Sequence, residues 1–546
     1  MGEMRTGGYK FSSALTLIAW LSAGATGMAE EVQHLSITQP GGMPGWPVMT
    51  GIQHSNHIAK LTWDGPSGYY QLYQKTNLTG ATWQKVGGPN LNRTTNITTL
   101  HSNVFFRISG PAPLYAGSKA CLECHASVHS AESKTGHARA LETLKQVNQA
   151  GNPSCLPCHT VGYGLPTGFK SITDFRSTNL LAGVQCESCH GPAASHAANE
   201  MDLTVRPRIE IASQVCGGCH NGSHHPTFNE WNSSGHAVVT EDMNLVSRIN
   251  SCGRCHSGTA RLAMVNGIPA STIATTLTND ANVAITCAVC HDPHAEHVWT
   301  NVLSGLVTTN QLRYPVASTN YYSLSTSATF SNRYDINVCA QCHNDRGAVA
   351  VSSSSRGPHH SPQYNIMMGS VGIRANGSDA ATNSRPSTHA LRITKQCVGC
   401  HMPTEEYESE AHPAFTGHTF KVESFDSCRT CHPYPEELTY FTAAIVTNRI
   451  NQVKNALDLW GATKSPELLR TNYGTMAWEY NPPGELSPAT NSPTAPQQAL
   501  IPVSIKNARF NLYLIQNDGS FGVHNPIYTI EMLDAASAWV QQELSK

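Results

Sequence analysis

The sequence predicts a multidomain chain: a small all-β sandwich, then a loop-rich region of short helices, then a helical C-terminal segment. Three observations predict it. Residues 31–112 hold no cysteine and alternate aromatic or β-branched residues with polar ones between Gly, Asn and Pro turns. Residues 113–437 carry nine C-x-x-C-H pentads, about one per 35 residues. From residue 438 onward apolar residues recur at helical spacing.

The front end reads as a signal peptide over residues 1–29. Arg5 and Lys10 precede an apolar run of about 15 residues, and Gly27 and Ala29 suit a signal-peptidase site. The alternative is an uncleaved anchor, but a bilayer span needs about 20 apolar residues. No later stretch is long and apolar enough to cross a membrane, so a cleaved chain has no transmembrane segment. Export to the periplasm or the cell exterior follows.

Residues 31–112 read as short strands: HIAKLTWDG, GYYQLYQKT, ATWQKVG, TNITTL and VFFRISG. Several such strands with turn signals suggest a two-sheet sandwich. The pattern of Trp63, Tyr69, Tyr70, Trp83 and the closing Phe105-Phe106-Arg107 resembles a fibronectin type III-like module, which implies a spacer or docking role. His34, His54, His57 and His101 read as ordinary surface or loop histidines.

All 18 cysteines lie in pentads, and none is left over. The pentads are Cys121, Cys124, His125; Cys155, Cys158, His159; Cys186, Cys189, His190; Cys216, Cys219, His220; Cys252, Cys255, His256; Cys287, Cys290, His291; Cys339, Cys342, His343; Cys397, Cys400, His401; and Cys428, Cys431, His432. Disulfides, zinc and covalent heme all use paired cysteines. Disulfides need no following histidine, and zinc knuckles do not fix one beside the second cysteine. Histidine is 27 of 546 residues, so finding it after all nine pairs by chance has a probability on the order of 10⁻¹². Heme c needs all three residues at this spacing: two thioethers to the porphyrin and an imidazole on the iron. The cofactor prediction is therefore nine covalently attached hemes c. At this density much of the interior must be porphyrin, and the region should not fold well without it.

An internal repeat picks out further histidines. ACLECH is followed by TGHA and VCGGCH by SGHA, so His137 matches His236. CESCHGPAASH aligns without a gap to CAVCHDPHAEH, so His196 matches His297. Histidines that repeat with the pentads read as distal iron ligands. His294 has Ala193 as its counterpart and ranks below His297. His196 lies only six residues past His190, so ligating a neighbouring heme is easier than capping its own. Other distal candidates are His359 (with His360 beside it), His389, His418 and His524, which makes eight for nine irons. His129, His224, His225 and His412 are reserves, for which a surface or hydrogen-bonding role is the better reading.

Residues 438–546 hold no pentad. Phe441, Ile445, Ile450, Val453, Leu457 and Trp460 mark one helix with Gly461 as its stop, and two more follow, the last with Pro526 in its first turn. This segment is expected to cover the hemes and bring His524 to an iron.

The stretches CLPCHTVGYG, CESCHGP, CVGCHMP and ARFNLYLIQNDGSFGVHNP resemble the multiheme cytochrome c superfamily. That group includes hydroxylamine oxidoreductase, the octaheme and pentaheme nitrite reductases and the small tetraheme carrier of ammonia oxidisers. The resemblance spans residues 113–546 and implies a mostly α, loop-rich multiheme cytochrome c domain with parallel and perpendicular heme pairs. It maps His524 onto a distal ligand through the shared His-Asn-Pro. It departs where catalysis would sit. The pentaheme nitrite reductases use C-x-x-C-K at the catalytic heme, and all nine pentads here end in His. Hydroxylamine oxidoreductase adds a tyrosine cross-link. Tyr163, Tyr321, Tyr322, Tyr334, Tyr364 and Tyr407 are available, and nothing in the sequence singles one out.

Two functions remain open. One is an electron carrier whose hemes are mostly bis-His. The other is an oxidoreductase with one five-coordinate heme acting on nitrite, hydroxylamine or a sulfur oxyanion. Expected partners are redox proteins, either other cytochromes or quinol-linked membrane complexes, and a homo-oligomer is compatible with the sequence. Charged residues are 13%, the formal net charge is −2 and there is no basic run, which argues against nucleic acid.

Overall fold

A computed structural model describes residues 19–22 and most of 48–546, leaving out 274–282, 314–336 and shorter stretches. The chain forms two compact units. One comprises Met1–Val238, Ile285–His297 and Glu406–Phe415, and the other Val239–Ala284, Val298–Glu405 and Thr416–Lys546.

The β region belongs to the first unit. Strands β1 (Ala19–Ser22), β2 (Val48–Ser55), β3 (Ile58–Asp64), β4 (Tyr70–Lys75), β5 (Gln84–Asn90), β6 (Thr94–Thr98) and β7 (Asn103–Ser109) form two sheets, in the orders β1-β7-β4-β5 and β2-β3-β6. All pairings are antiparallel. Period-two alternation sends one side of each sheet inward. Met49, Ile52, Ala59, Leu61 and Trp63 from one sheet meet Tyr70, Leu72, Val104, Phe106 and Ile108 from the other in a single core. Each of the large side chains contributes about 1.5–3 kcal/mol by leaving water. β1 lies within the stretch read as a leader and pairs with β7 from Ala19↔Phe106 to Ser22↔Asn103. The rest of residues 1–29 lies outside the described residues, as do His34, His57 and His101. Removing residues 1–29 would leave β7 at the edge of its sheet.

The pentad-bearing stretches are short helices and turns. The first unit holds the pentads that begin at Cys121, Cys155, Cys186, Cys216 and Cys287, and the second those that begin at Cys252, Cys339, Cys397 and Cys428. Representative helices are α1 (Cys186–His190) and α2 (Val246–His256).

Helices α3 (Pro435–Thr463), α4 (Val503–Asp518) and α5 (Pro526–Leu544) close the second unit. Val446, Ile450, Val453, Leu457 and Trp460 form the buried stripe of α3, while Phe441 and Ile445 are exposed. Gly461 does not stop α3. It sits inside the helix because a Cβ there would lie 2.8 Å from the carbonyl oxygens of both Gly474 and Thr475, so only glycine admits that backbone. α4 does end at a glycine, Gly519, with φ of 71°. α5 starts with Pro526, and the Asn525 side chain accepts a bond from Tyr528 N–H. The three helices share one core with Ala350, Ile366, Val371, Ile373 and Ala380 from the pentad-bearing stretch. Among the described residues no helix is long and apolar enough to cross a membrane.

Candidate heme centres

Each pentad is a single helical turn. The histidine N–H bonds to the carbonyl of the first cysteine: His125 to Cys121 at 2.8 Å, His220 to Cys216 at 3.0 Å, His291 to Cys287, His343 to Cys339 and His432 to Cys428 at 2.9 Å. Positions i, i+3 and i+4 of such a turn share a face, so both thiols and the imidazole are presented together. None of the eighteen cysteines is joined in a disulfide, and each is at least partly exposed.

Thiols of different pentads also meet. In the first unit Cys121 lies beside Cys186, Cys158 beside Cys219, and Cys216 beside Cys287. In the second, Cys255 meets Cys342 and Cys339 meets Cys397. Cys255 Sγ lies 3.9 Å from Gln341 O and Cys342 Sγ lies 3.9 Å from Arg254 O, a reciprocal contact. The sequence repeat reappears here. First-to-third contacts, Cys121 with Cys186, recur as Cys216 with Cys287. Val184 N–H bonds His137 O at 2.9 Å, and its counterpart Ile285 N–H bonds His236 O at 3.1 Å. One element is not repeated. The buried Glu187 carboxylate accepts from the N–H groups of Ala116, Gly117 and Ala193 at 2.7–3.1 Å, whereas the second copy has Ala288 in its place. Burial pushes the Glu187 carboxyl up, and the three backbone donors pull the other way.

The imidazoles give the test of heme fit. An iron held by two imidazoles on opposite faces, with metal–nitrogen bonds of about 2.0 Å and ring centres about 1.1 Å behind the nitrogens, sets the ring centres about 6.2 Å apart. His137 lies 6.1 Å from His220, His190 6.0 Å from His294, His256 6.1 Å from His359, His389 6.1 Å from His432, and His401 6.2 Å from His524. Interplanar angles in these pairs run from 8° to 86°, so the separation is constant while the twist is not. Two imidazoles sharing one iron would show that combination. His359 on His360 at 4.2 Å and His224 on Tyr407 at 3.6 Å sit closer. The residues therefore fit heme iron. Every pair joins a pentad to a histidine from another part of the chain.

Hydrogen bonds at Nδ1 anchor several of the candidate rings. His159 Nδ1 bonds Ala140 O at 2.7 Å, His401 Nδ1 bonds Phe420 O at 3.1 Å and His389 Nδ1 bonds Val523 O at 3.0 Å. His418 Nδ1 bonds Thr416 O at 3.0 Å. His359 Nδ1 pairs with Ser361 Oγ at 2.8 Å. Such partners fix the tautomer that a metal needs. Burial lowers the pKa of His137, His343, His389 and His401, and that of His359 falls to about 3, which favours the neutral, ligating form. His524 differs. Burial opposes its charge, but Asp518, buried and 2.7 Å from Nδ1, holds its pKa above the ordinary value.

Histidines outside the eight candidates also stand near pentad imidazoles. His294, ranked second on the repeat, stands opposite His190, while His297 Nε2 lies 3.4 Å from Asp292. His225, a reserve, lies 6.3 Å from His220, and the charge of His159 contributes to lowering its pKa after burial. His360 lies 6.4 Å from His256, so His256, His359 and His360 converge with ligand atoms within 4.8 Å. His196 is half-buried with its Nδ1 lacking a hydrogen-bond partner. Of the tyrosines, Tyr163 borders a small apolar cluster, Tyr364 is buried and Tyr407 stacks on His224, while Tyr321, Tyr322 and Tyr334 lie outside the described residues.

Residues 120–191, the first three pentads, match the cytochrome c554 and c-prime family. The chain is 28% identical over 192 residues to Multiheme cytochrome MtrA of Shewanella baltica, covering 32% of this chain and 52% of that one. It is 24% identical over 282 residues to the C-type polyheme cytochrome OmcB of Geobacter sulfurreducens, covering 47% and 36%. It thus spans about half or less of the length of these relatives. The crystal structure of Outer Cell Wall Cytochrome OcwA aligns over 78% of this chain and 100% of its own, at 21% identity and a TM-score of 0.46. The matches place the chain among multiheme c-type cytochromes with covalently bound heme.

Proposed function

We propose that the chain is an exported nonaheme c-type cytochrome that conducts electrons between redox partner proteins through mostly bis-His hemes. The recurrence of imidazole pairs at 6.0–6.2 Å carries this reading. Each bound heme supplies a one-electron ferric–ferrous couple.

The chain's own residues do the rest. The pentad cysteines hold each porphyrin by two bonds and the pentad histidine takes one axial position. Opposite them stand His137 for His220, His294 for His190, His359 for His256, His389 for His432 and His524 for His401. The four remaining axial positions, opposite His125, His159, His291 and His343, would be drawn from His196, His225, His236, His297 and His418. Thiol contacts between pentads set a short spacing from one attachment point to the next: Cys121 to Cys186, Cys158 to Cys219 and Cys216 to Cys287 in one unit, and Cys255 to Cys342 and Cys339 to Cys397 in the other. Close spacing suits conduction, and filled axial positions exclude substrate.

Signal cleavage after Ala29, a periplasmic or extracellular location and the resemblance to the hydroxylamine oxidoreductase and nitrite reductase group belong to the same proposal. The β region serves as a fibronectin type III-like module, supported by its two sheets over one core.

The experiment combines heme content per intact mass with electron paramagnetic resonance and carbon monoxide binding. Nine hemes, low-spin and unresponsive to carbon monoxide or nitrite, are expected. His389→Ala should convert one heme to a high-spin, carbon monoxide-binding form. A high-spin heme in the unmodified protein that shifts with nitrite would overturn the carrier in favour of an oxidoreductase.

A further inference from the structure

The outer face of the β4–β5–β7 sheet carries a feature that electron conduction does not use. Register places Tyr73 beside Lys85 on one side and Arg107 on the other, and Lys75 beside Phe105. Cross-strand partners share a face, and this face is the one opposite Leu72, Val104, Phe106 and Ile108 of the core. The Arg107 guanidinium lies 5.5 Å from the Tyr73 ring centre and 6.0 Å from that of Trp83, and Lys75 Nζ lies 5.1 Å from the Trp83 ring. The cations are thus held on aromatic rings, which fixes their stems.

The charge is unbalanced on a larger scale. Residues 65–122 contain Lys75, Lys85, Arg93, Arg107 and Lys119 and no Asp or Glu. The whole chain has 35 basic and 37 acidic residues, so the remainder is acidic before any heme propionate is counted. A basic sheet on an acidic chain is an electrostatic docking face.

We propose that this face binds an acidic polysaccharide. The cations lie on β4, β5 and β7, neighbouring strands that together span about 10 Å at the usual strand spacing. Fixed cations suit repeated carboxylates, and Trp83 and Tyr73 supply ring surface for the C–H faces of sugars. An extracytoplasmic chain would thereby be tethered to a surface polymer. The inference goes beyond the electron-transfer reading and would survive its failure, because it is read by retention and not by the hemes.

The test is retention of the full, heme-loaded protein on immobilised alginate, with dextran and double-stranded DNA as parallel supports. Preferential binding to alginate is expected, weakening steeply from low to physiological salt. The double variant Arg107→Glu, Lys85→Glu should lose about tenfold or more in affinity, and Arg107→Gln, Lys85→Gln less, both with unchanged heme spectra. Equal retention on dextran, stronger binding to DNA, or alginate binding untouched by the charge reversal would each overturn the proposal. So would a charge reversal that abolished self-association and left alginate binding intact.

Discussion

The β region and the pentad-bearing stretch around α2 make opposite use of their side chains. Ten side chains from Met49 to Ile108 close one core between the two sheets of the β region. Around α2 the corresponding cluster is Met243, Ile249, Ala260 and Ile273. Two of its four members are small or flexible, and Cys252 of a pentad packs against it with Ala263 and Met264. Apolar burial of side chains suffices to hold the first region, at about 25 cal/mol per Å². In the second it is too thin to offset the entropy of ordering so many loops, about 1–2 kcal/mol per residue for the backbone alone. The difference teaches where the cofactor is part of the interior and where it is not.

The largest effect should come from withholding heme. In a host without cytochrome c maturation, the backbone amides at 339–347 and 396–401 should lose protection from hydrogen exchange while those of β3, β4 and β7 keep theirs. Protection at the pentads of unmatured protein would break the comparison. The converse experiment is Phe106→Ala, which removes a fully buried ring from the β core. It should cost about 3–5 kcal/mol in denaturant unfolding of the β region and leave heme content and spectra unchanged.

Glu187 separates the two copies of the repeat. Glu187→Ala strands the Ala116, Gly117 and Ala193 N–H groups and should destabilise the Cys121 and Cys186 attachment turns by about 2–3 kcal/mol, whereas Ala288→Gly should have no comparable effect. Local hydrogen exchange would show it. The smallest expected effect sharpens the picture at one iron. The Asp518 carboxylate strengthens His524 as a donor, so Asp518→Asn should raise the midpoint potential of one heme in a spectroscopic redox titration and leave the others in place. A potential that does not move would remove Asp518 from any electronic role.

Much of the site is legible because it is local. Two thiols and an imidazole at i, i+3 and i+4 fall on one face of a turn whatever surrounds them, so the pentads declare themselves. Repetition also matches His137 with His236, and both copies make the same backbone bond at these positions. That His294 stands opposite His190 was not legible. Three residues past His291, the chain turns His294 toward the pentad of the other copy, and only long-range packing sets that direction. Gly461 misled for the same reason: its requirement comes from Gly474 and Thr475, not from a helix end.

The sequence by itself determined the covalent chemistry, the alternating strands and the amphipathic C-terminal helices, because each follows from spacing within a few residues. Tertiary structure alone decided which imidazole faces which pentad, that pentads close in sequence divide between two units, and that α3, α4 and α5 share their core with residues 350–380. Those outcomes depend on contacts between residues tens of positions to more than a hundred apart, and chain spacing carries no record of them.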